Sequence, residues 1–445
     1  MGQWRGAAVR AVAVVALVSA LVPAAPAAFG RVQVGEEDDC FGFEPTITGT
    51  SGDDVIEGTR GFDIIAALGG NDSVAGGRGM DLICAGDGDD RVHGGPGIDV
   101  LEGLRGADEL FGDGDDDLLF ETSLPEDPQG PVWVHAGDSS DDEFHGGPGR
   151  DLLGDDGAND LLDGGDGPDT FLGLFTFSPT VIDLANGHTS SLRGDVNTLV
   201  SVENAIGGIY RDVILGSEGP NVLSGAIGGD FVYGEGSADL LLSTTSGALL
   251  DGGGGRSRDG LLVLNDDGTD VDLENGTVSP RGGAGAADRI LGIEDVIAGE
   301  GDDVVVGNDV MNRLYGSSGD DVLDGAAEND LVVGDAPFWP WTDTGHWDVV
   351  DPGGRGDDTL IGGDGRDRLD GGPARDECRS GEVVRRCEVV VGDRAAARAG
   401  ARGGGGSSLG RGTAAARGLD TWWFPLMLDL SARPWLDLVP TRLRR

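Results

Sequence analysis

The chain has 445 residues, of which 83 are glycine, while aromatic residues make up only 5%. So much glycine and so few large side chains exclude several ordinary globular domains with thick hydrophobic cores. Acidic residues number 80 against 31 basic ones, lysine is absent and the formal net charge is −49. Such a chain repels itself and should bind no nucleic acid, so it is either solvated and disordered or a binder of hard cations.

Residues 1–28 have the composition of an export signal. Arg5 and Arg10 form a basic start, a short apolar run follows from Ala11 to Val22, and PAAPAA offers small residues for cleavage. The apolar run is too short to predict a membrane span. We therefore expect a Sec-type signal peptide, a secreted and possibly surface-associated protein, and no membrane span in the mature chain.

From Gly49 the chain repeats with a period of nine residues, beginning GTSGDDVIE, GTRGFDIIA, and eight such units run without interruption to Phe120. The sixth position is Asp in 21 of 23 units, the exceptions being Asn221 and Asn312, and the eighth position is apolar in all 23. Disorder gives no reason for this regularity, so the cation-binding alternative is favoured. The later units lie in blocks at 137–172, 207–242, 298–333 and 353–379.

Each unit contains the parts of a tight turn followed by a short strand. Glycines at the first and fourth positions permit positive φ and a sharp turn that exposes carbonyl oxygens. The sixth-position Asp adds a carboxylate, and the eighth side chain points inward from a short strand. One turn supplies too few oxygens for Ca²⁺, which takes six to eight, so each ion is expected to join neighbouring coils.

The units resemble the hemolysin-type (RTX) calcium-binding repeat, GGxGxDxUx, with close matches such as GGPGIDVLE at 94–102 and GGPGRDLLG at 146–154. The resemblance implies an all-β fold, a parallel β-roll or β-solenoid, with two nonamers per coil and Ca²⁺ between turns. It also implies that sixth-position aspartates, helped by turn carbonyls, are the metal ligands. The expected ligands are Asp54, Asp63, Asp72, Asp81, Asp90, Asp99, Asp108, Asp117, Asp151, Asp169, Asp230, Asp303, Asp321, Asp358 and Asp367.

Several units lack the fourth-position glycine, and their turns are expected to bind calcium weakly or not at all. The most regular block, 49–120, is where the best-ordered ions are expected. The replacing residues are Asp115, Ser140, Ala158, Tyr210, Ser237, Val310, Glu328 and Ala374.

Besides the insert at 121–136, three spacers interrupt the repeats. Two of them contain similar segments, VIDLANG at 181–187 and DVDLENG at 270–276, and each runs into a nonamer block. They resemble the strand-rich spacers of RTX arrays, so both are expected to continue the solenoid with wider coils. Glu203 and Glu294 sit alike in them, and we favour a structural role or an added Ca²⁺ ligand over catalysis. The spacer 334–352 holds four aromatic residues, which either cover an open strand edge or stack on a sugar or protein partner.

Four cysteines lie near the ends of the array, where a repeat stack needs caps. We expect Cys40 to pair with Cys84 and Cys378 to pair with Cys387, one of three possible connectivities. The Arg- and Gly-rich stretch after Asp393 is typical of a flexible linker and leads to a basic, aromatic tail.

No HExxH motif is present, and the five histidines show no ligand spacing. The one GxSxG match, GSSLG at 406–410, lies in the Arg- and Gly-rich linker and so is not expected to form a strand–turn–helix elbow. We therefore expect a non-enzymatic calcium-binding protein with a structural, adhesive or surface and matrix role, whose partners are calcium ions, with cell-envelope or matrix components as further candidates. The alternative is a secreted RTX-family hydrolase or epimerase. The predicted organisation is a signal peptide (1–28), an N-terminal cap (29–48), a first array (49–172) with an insert at 121–136, a spacer-interrupted second array with a C-terminal cap (173–393), and a linker and basic tail (394–445).

Overall fold

The computed structural model describes residues 40–121 and 140–391, apart from gaps at 42, 155–157, 174–177, 255–256, 266–267, 282–284, 300, 336–356, 372–374, 382 and 388. Every regular element of more than one residue in this part of the chain is a strand, and none of its segments forms a helix long and apolar enough to cross a membrane. The predicted signal peptide, the aromatic spacer residues and the C-terminal tail lie outside the described residues. Contacts divide the chain after Ser257 into two units.

In the first unit the chain winds in coils of two nonamers. Strands one coil apart pair in parallel with a shift of 18 residues, as Ile65 with Ile83 in one sheet and Val74 with Val92 in the other. Alternate nonamers therefore enter two different sheets, and each coil adds one strand to each sheet. This is the parallel β-roll that the resemblance to the RTX repeat implied.

The first sheet of this unit contains β1 (Ile47–Thr50), β3 (Ile64–Gly69), β5 (Leu82–Asp87), β7 (Val100–Arg105), β9 (Leu118–Phe120), β11 (Leu152–Gly154), β13 (Thr170–Leu172), β17 (Asn204–Ile206), β19 (Val222–Ser224) and β21 (Leu240–Ser243). The second sheet contains β2 (Val55–Glu57), β4 (Ser73–Ala75), β6 (Arg91–Pro96), β8 (Glu109–Gly114), β10 (Glu143–Pro148), β12 (Leu161–Asp166), β14 (Thr180–Asp183), β15 (His188–Ser191), β16 (Thr198–Val200), β18 (Val213–Leu215), β20 (Phe231–Tyr233) and β22 (Leu249–Asp251).

The second unit has the same two kinds of strand. Its first set is β23 (Gly260–Val263), β27 (Asp295–Ile297), β29 (Arg313–Tyr315), β31 (Leu331–Val333), β33 (Arg368–Asp370) and β35 (Val383–Arg385). Its second set is β24 (Thr269–Asp272), β25 (Thr277–Pro280), β26 (Asp288–Leu291), β28 (Val304–Val306), β30 (Val322–Asp324), β32 (Thr359–Ile361), β34 (Glu377–Arg379) and β36 (Val389–Val391).

The eighth residue of each nonamer forms the core. All 23 of these side chains are buried, and they stack in register, as Leu119 does between Leu101 and Leu153. The seventh residues of the first sheet, such as Leu82 and Leu118, are also buried, at 0% exposure. The core is therefore larger than the eighth position alone predicts.

The spacers continue the solenoid as wider coils. In the first unit β14 and β15 form an antiparallel hairpin, and β14 then pairs in parallel with β18, placing Ile182 beside Ile214. In the second unit β24 and β25 form the equivalent hairpin, and Val271 lies beside Val305. The hairpin adds residues to one coil without breaking the parallel ladder.

Both expected disulfides are present. Cys40 is bonded to Cys84 in β5, with their Cα atoms 5.7 Å apart, and Cys378 in β34 is bonded to Cys387, with their Cα atoms 6.0 Å apart. Each bond ties a residue outside the nonamers to a strand of the roll.

The buried row predicts a large cost for truncating one of its members. Leu119→Ala should lower the free energy of unfolding by about 2–5 kcal/mol, because it removes buried methyl groups between two rigid neighbours. The control Val55→Ala changes a side chain that is 82% exposed and should stay within about 0.5 kcal/mol of the parent. Chemical denaturation in saturating calcium measures both; similar losses for the two variants would contradict the stacked core.

Candidate metal centre

The sixth-position aspartates form ladders along the edges of the roll. In most of the ladder the backbone N–H of one Asp donates to Oδ1 of the equivalent residue one coil later, for example from Asp63 to Asp81 at 2.8 Å and from Asp81 to Asp99 at 2.7 Å. The same contact joins Asp303 to Asp321 at 2.9 Å in the second unit. Coils of two nonamers place these carboxylates in register because they have the same length, and the contact is also kept across longer coils, as from Asp117 to Asp151.

The second carboxylate oxygen of most ladder residues has no donor. In twelve aspartates Oδ2 is buried and has no hydrogen-bond partner, although a buried charged oxygen is costly unless it is satisfied. We call the turns of these residues open turns. They belong to Asp72, Asp81, Asp90, Asp99, Asp117, Asp151, Asp169, Asp230, Asp303, Asp321, Asp330 and Asp358.

Backbone carbonyls converge on the same place. A Cβ atom built on Gly76 would lie 2.9 Å from Asp81 Oδ2 and 2.7 Å from the carbonyl oxygen of Gly94, which belongs to the next coil. A Cβ on Gly325 would likewise lie 2.6 Å from Asp330 Oδ2 and 2.8 Å from the Gly362 carbonyl. At Gly76 and Gly325 the first-position glycine therefore leaves clear the space on which these oxygens converge. Other open turns have an alanine at this position, namely Ala67, Ala85 and Ala298.

Five turns are built differently, and we call them closed turns. In each, the N–H of the second residue donates to the side chain of the sixth, so the carboxylate or amide oxygen is satisfied within its own turn. The pairs are Thr50 with Asp54 (2.6 Å), Thr59 with Asp63 (2.6 Å), Gly208 with Asp212 (2.7 Å), Ser217 with Asn221 (2.6 Å) and Asn308 with Asn312 (2.9 Å).

The backbone of the second residue separates the two kinds of turn. In ten of the twelve open turns this residue has positive φ, whether it is glycine or not, as at Gly77 (112°), Leu68 (81°) and Ser317 (78°). In the five closed turns it does not. A positive φ at the second residue rotates the peptide group that precedes it. The N–H of the second residue then no longer points at the carboxylate of the sixth residue. Non-glycine residues adopt a positive φ at a cost of about 1–2 kcal/mol.

In the two spacers that contain hairpins, a glutamate takes the place of the ladder aspartate. Glu203 Oε2 accepts the N–H of Asp169 at 3.0 Å, and Glu294 Oε2 accepts the N–H of Asp259 at 3.0 Å. One coil later, the amide nitrogens of Asn221 and Asn312 donate to the carbonyl oxygens of Glu203 and Glu294. Both glutamates thus have a structural position in the ladder, and the asparagine amides make hydrogen bonds between coils.

Burial makes the open-turn carboxylates reluctant to ionise. It is the main cause that raises the pKa of Asp81 to about 6, of Asp99 to about 8 and of Asp117 to about 10. The carboxylate of the preceding coil raises each pKa further, while the backbone N–H of that coil opposes the shift. A nearby cation would favour the charged forms.

Two groups of three buried carboxylates lie at the insert 121–136 and the spacer 334–352. In each group, one oxygen from every carboxylate lies within 4.8 Å of the others. One group is Asp108, Glu121 and Asp142, where residue 121 begins the insert, and the other is Asp335, Asp358 and Asp376. Asp142 therefore keeps its place on the edge although Ser140 replaces its turn glycine.

The structure places all fifteen expected ligands on the two edges. Asp54 and Asp63 lie in closed turns, Asp108 and Asp367 accept ladder N–H bonds from Asp90 and Asp330, and the other eleven lie in open turns. Sequence reasoning missed Asp330, because Glu328 replaces its turn glycine; yet Glu328 adopts positive φ (73°) as a glycine would. It also missed Glu121 and Asp335, which lie outside the sixth-position column.

A parallel roll whose edges carry aligned carboxylates with open oxygens defines the class of calcium-binding repeat proteins. The family model of the RTX calcium-binding nonapeptide repeat (4 copies) matches residues 48–83, 85–119, 136–171, 206–241, 307–336 and 353–381. The chain therefore carries several copies of the RTX calcium-binding nonapeptide repeat along its length. No curated protein matches the chain in a whole-sequence comparison.

Open and closed turns should respond differently to loss of one carboxylate. Asp81→Asn in an open turn should remove or weaken at least one calcium site, because it removes the charge of an unpartnered oxygen. Asp63→Asn in a closed turn should leave the number of sites unchanged, because Asn221 and Asn312 already occupy this position in other closed turns. Calorimetric calcium titration measures both variants. Equal losses would mean that the two kinds of turn do not differ in ion binding.

The raised pKa values predict how the metal-free fold depends on pH. Asp81, Asp90 and Asp99 have pKa values of about 6, 7 and 8, above their ordinary value of 3.8, so the folded chain holds more protons than the unfolded chain between these limits. The stability that these carboxyl groups give the metal-free fold is thus fully present below about pH 4, and it is lost as the pH rises through 6 to 8. Circular dichroism in chelator should show more strand at pH 4.5 than at pH 8, and calcium should remove the difference. A metal-free strand signal that grows with pH would contradict this.

Proposed function

We propose that this protein is a secreted, non-catalytic calcium-binding protein with a structural, adhesive or surface role, and that its roll forms when Ca²⁺ binds. The observation that carries the proposal is the set of buried, unpartnered Oδ2 atoms in the open turns. Hard oxygen ligands of this kind suit Ca²⁺ better than softer metals, and a flexible set of many oxygens suits it better than Mg²⁺.

The residues that would hold the ions are the open-turn aspartates, together with first-position carbonyls of the next coil such as that of Gly94. A bound cation neutralises carboxylates that otherwise repel one another along each edge. The chain's own contribution is to align these oxygens, through the N–H to Oδ1 ladder and the stacked eighth-position side chains. Binding free energy then becomes folding free energy.

Export is supported by the basic and apolar N-terminal segment and by two disulfides, which persist mainly in oxidising compartments. Extracellular calcium modules bind in the range of about 10⁻⁴–10⁻³ M, so folding outside the cell fits a chain that is exported before it meets calcium. A non-catalytic role is supported by the absence of an HExxH motif from the sequence and by the position of its one GxSxG match, 406–410, in a Gly- and Ser-rich stretch.

The test is a calcium titration of the whole chain followed by circular dichroism. The strand signal should be small in excess chelator at pH 8 and should rise cooperatively at about 10⁻⁴–10⁻³ M Ca²⁺. Equal concentrations of Mg²⁺ serve as the control and should restore little of it. A complete strand signal in chelator, or equal action of Mg²⁺, would overturn the proposal.

A further inference from the structure

The carboxylate of Asp335 lies outside the repeat pattern that supplies the other candidate ligands. It follows Gly334, which takes the first position of a turn: a Cβ on Gly334 would meet Asp358 Oδ2 and would lie 2.7 Å from the Gly371 carbonyl oxygen. Asp335 thus occupies the second position, where the other open turns have a residue without a carboxylate, such as Gly77 or Gly86, except for Asp113 in the turn of Asp117. Its N–H donates to the carbonyl of Gly371 at 3.2 Å, which fixes it against the next coil.

The side chains of Asp335, Asp358 and Asp376 are buried. Asp335 and Asp358 are each 1% exposed and Asp376 is 0% exposed, and one oxygen of each carboxylate lies within 4.8 Å of the other two. Two oxygens bound to one Ca²⁺ lie at most about 5 Å apart, so the three carboxylates fit a single ion. Three buried charges at this separation repel each other strongly unless a cation lies among them.

An independent observation points to a ligand in this place. Asp358 Oδ1 accepts the N–H of Asp321 at 2.9 Å, whereas Asp358 Oδ2, which lies against Gly334, is buried and has no hydrogen-bond partner. The guanidinium of Arg386 donates to Asp370 Oδ1 at 2.5 Å. It also interacts electrostatically with Asp335 and Asp376, so it offsets only part of the charge of the three carboxylates.

We propose that Asp335, Asp358 and Asp376 form one cation site with three carboxylates, in which Asp335 adds a third carboxylate to the open turn of Asp358, and that Asp335 makes it one of the tightest calcium sites of the chain. The affinity of an oxygen site for Ca²⁺ rises with the number of charged ligands. This site would therefore fill before the open-turn sites that lack a third carboxylate. The inference rests on the proposed calcium binding. A carboxylate at the other long insert, Glu121, lies in a similar group with Asp108 and Asp142.

Asp335→Asn tests the site in the full chain, because it removes one charge at nearly constant shape. Calorimetric calcium titration should show one high-affinity site weakened by roughly tenfold or more, with the remaining sites unchanged. The matched control is Asp364→Asn, which removes the same charge from an exposed position in a neighbouring turn and should leave the titration unaltered. A titration of Asp335→Asn that equals the parent would overturn the proposal.

A second measurement guards against a folding defect. Circular dichroism in saturating calcium should show that Asp335→Asn keeps the parent strand signal. Eu³⁺ is a hard cation whose lowest excitation line shifts with the number of carboxylates bound to it. The three-carboxylate component should lose intensity in Asp335→Asn and keep it in Asp364→Asn; no loss would overturn the proposal. A parent protein that binds no calcium at all would instead refute the proposed function, so the two failures are distinct.

Discussion

The structure depends on one contact repeated along both edges of the roll, the hydrogen bond from each ladder N–H to the carboxylate of the next coil. This contact holds the carboxylate in place through Oδ1, as from Asp81 to Asp99, and leaves Oδ2 facing the carbonyls of a neighbouring turn. A buried carboxylate that has a hydrogen-bond donor on only one of its two oxygens favours a bound cation. The same geometry therefore makes the fold regular and makes it dependent on an ion.

The ladder also explains why glycine is so abundant. The first-position glycines leave room for oxygens of two coils, and Gly76 shows that even a single methyl group would collide with both. At the second position the demand is for positive φ, which Leu68 and Ser317 meet as well as Gly77 does. The composition that excludes ordinary globular domains is thus the composition that a stack of tight turns requires.

Much of this could be predicted from the sequence, because the period of nine fixes which side chains share a row. The buried eighth position, the aligned sixth position, the wider spacer coils and both disulfides follow from that period and from the position of the cysteines. The distinction between open and closed turns could not be predicted, because residue type does not determine the peptide orientation: Ser317 has positive φ whereas Ser217 does not. Nor could the group around Asp335, since contact between 335, 358 and 376 arises only when the coils stack.

The paired asparagines have a consequence for how the array would behave in a medium poor in divalent ions. The amides of Asn221 and Asn312 carry no charge and donate directly to the carbonyls of Glu203 and Glu294, so these two links need neither a metal ion nor an ionised carboxyl group. Each unit of the molecule accordingly contains, beside its hairpin, one junction between coils that is held by a neutral contact. In the folded roll such a junction keeps its hydrogen bond whichever of the neighbouring turns hold an ion.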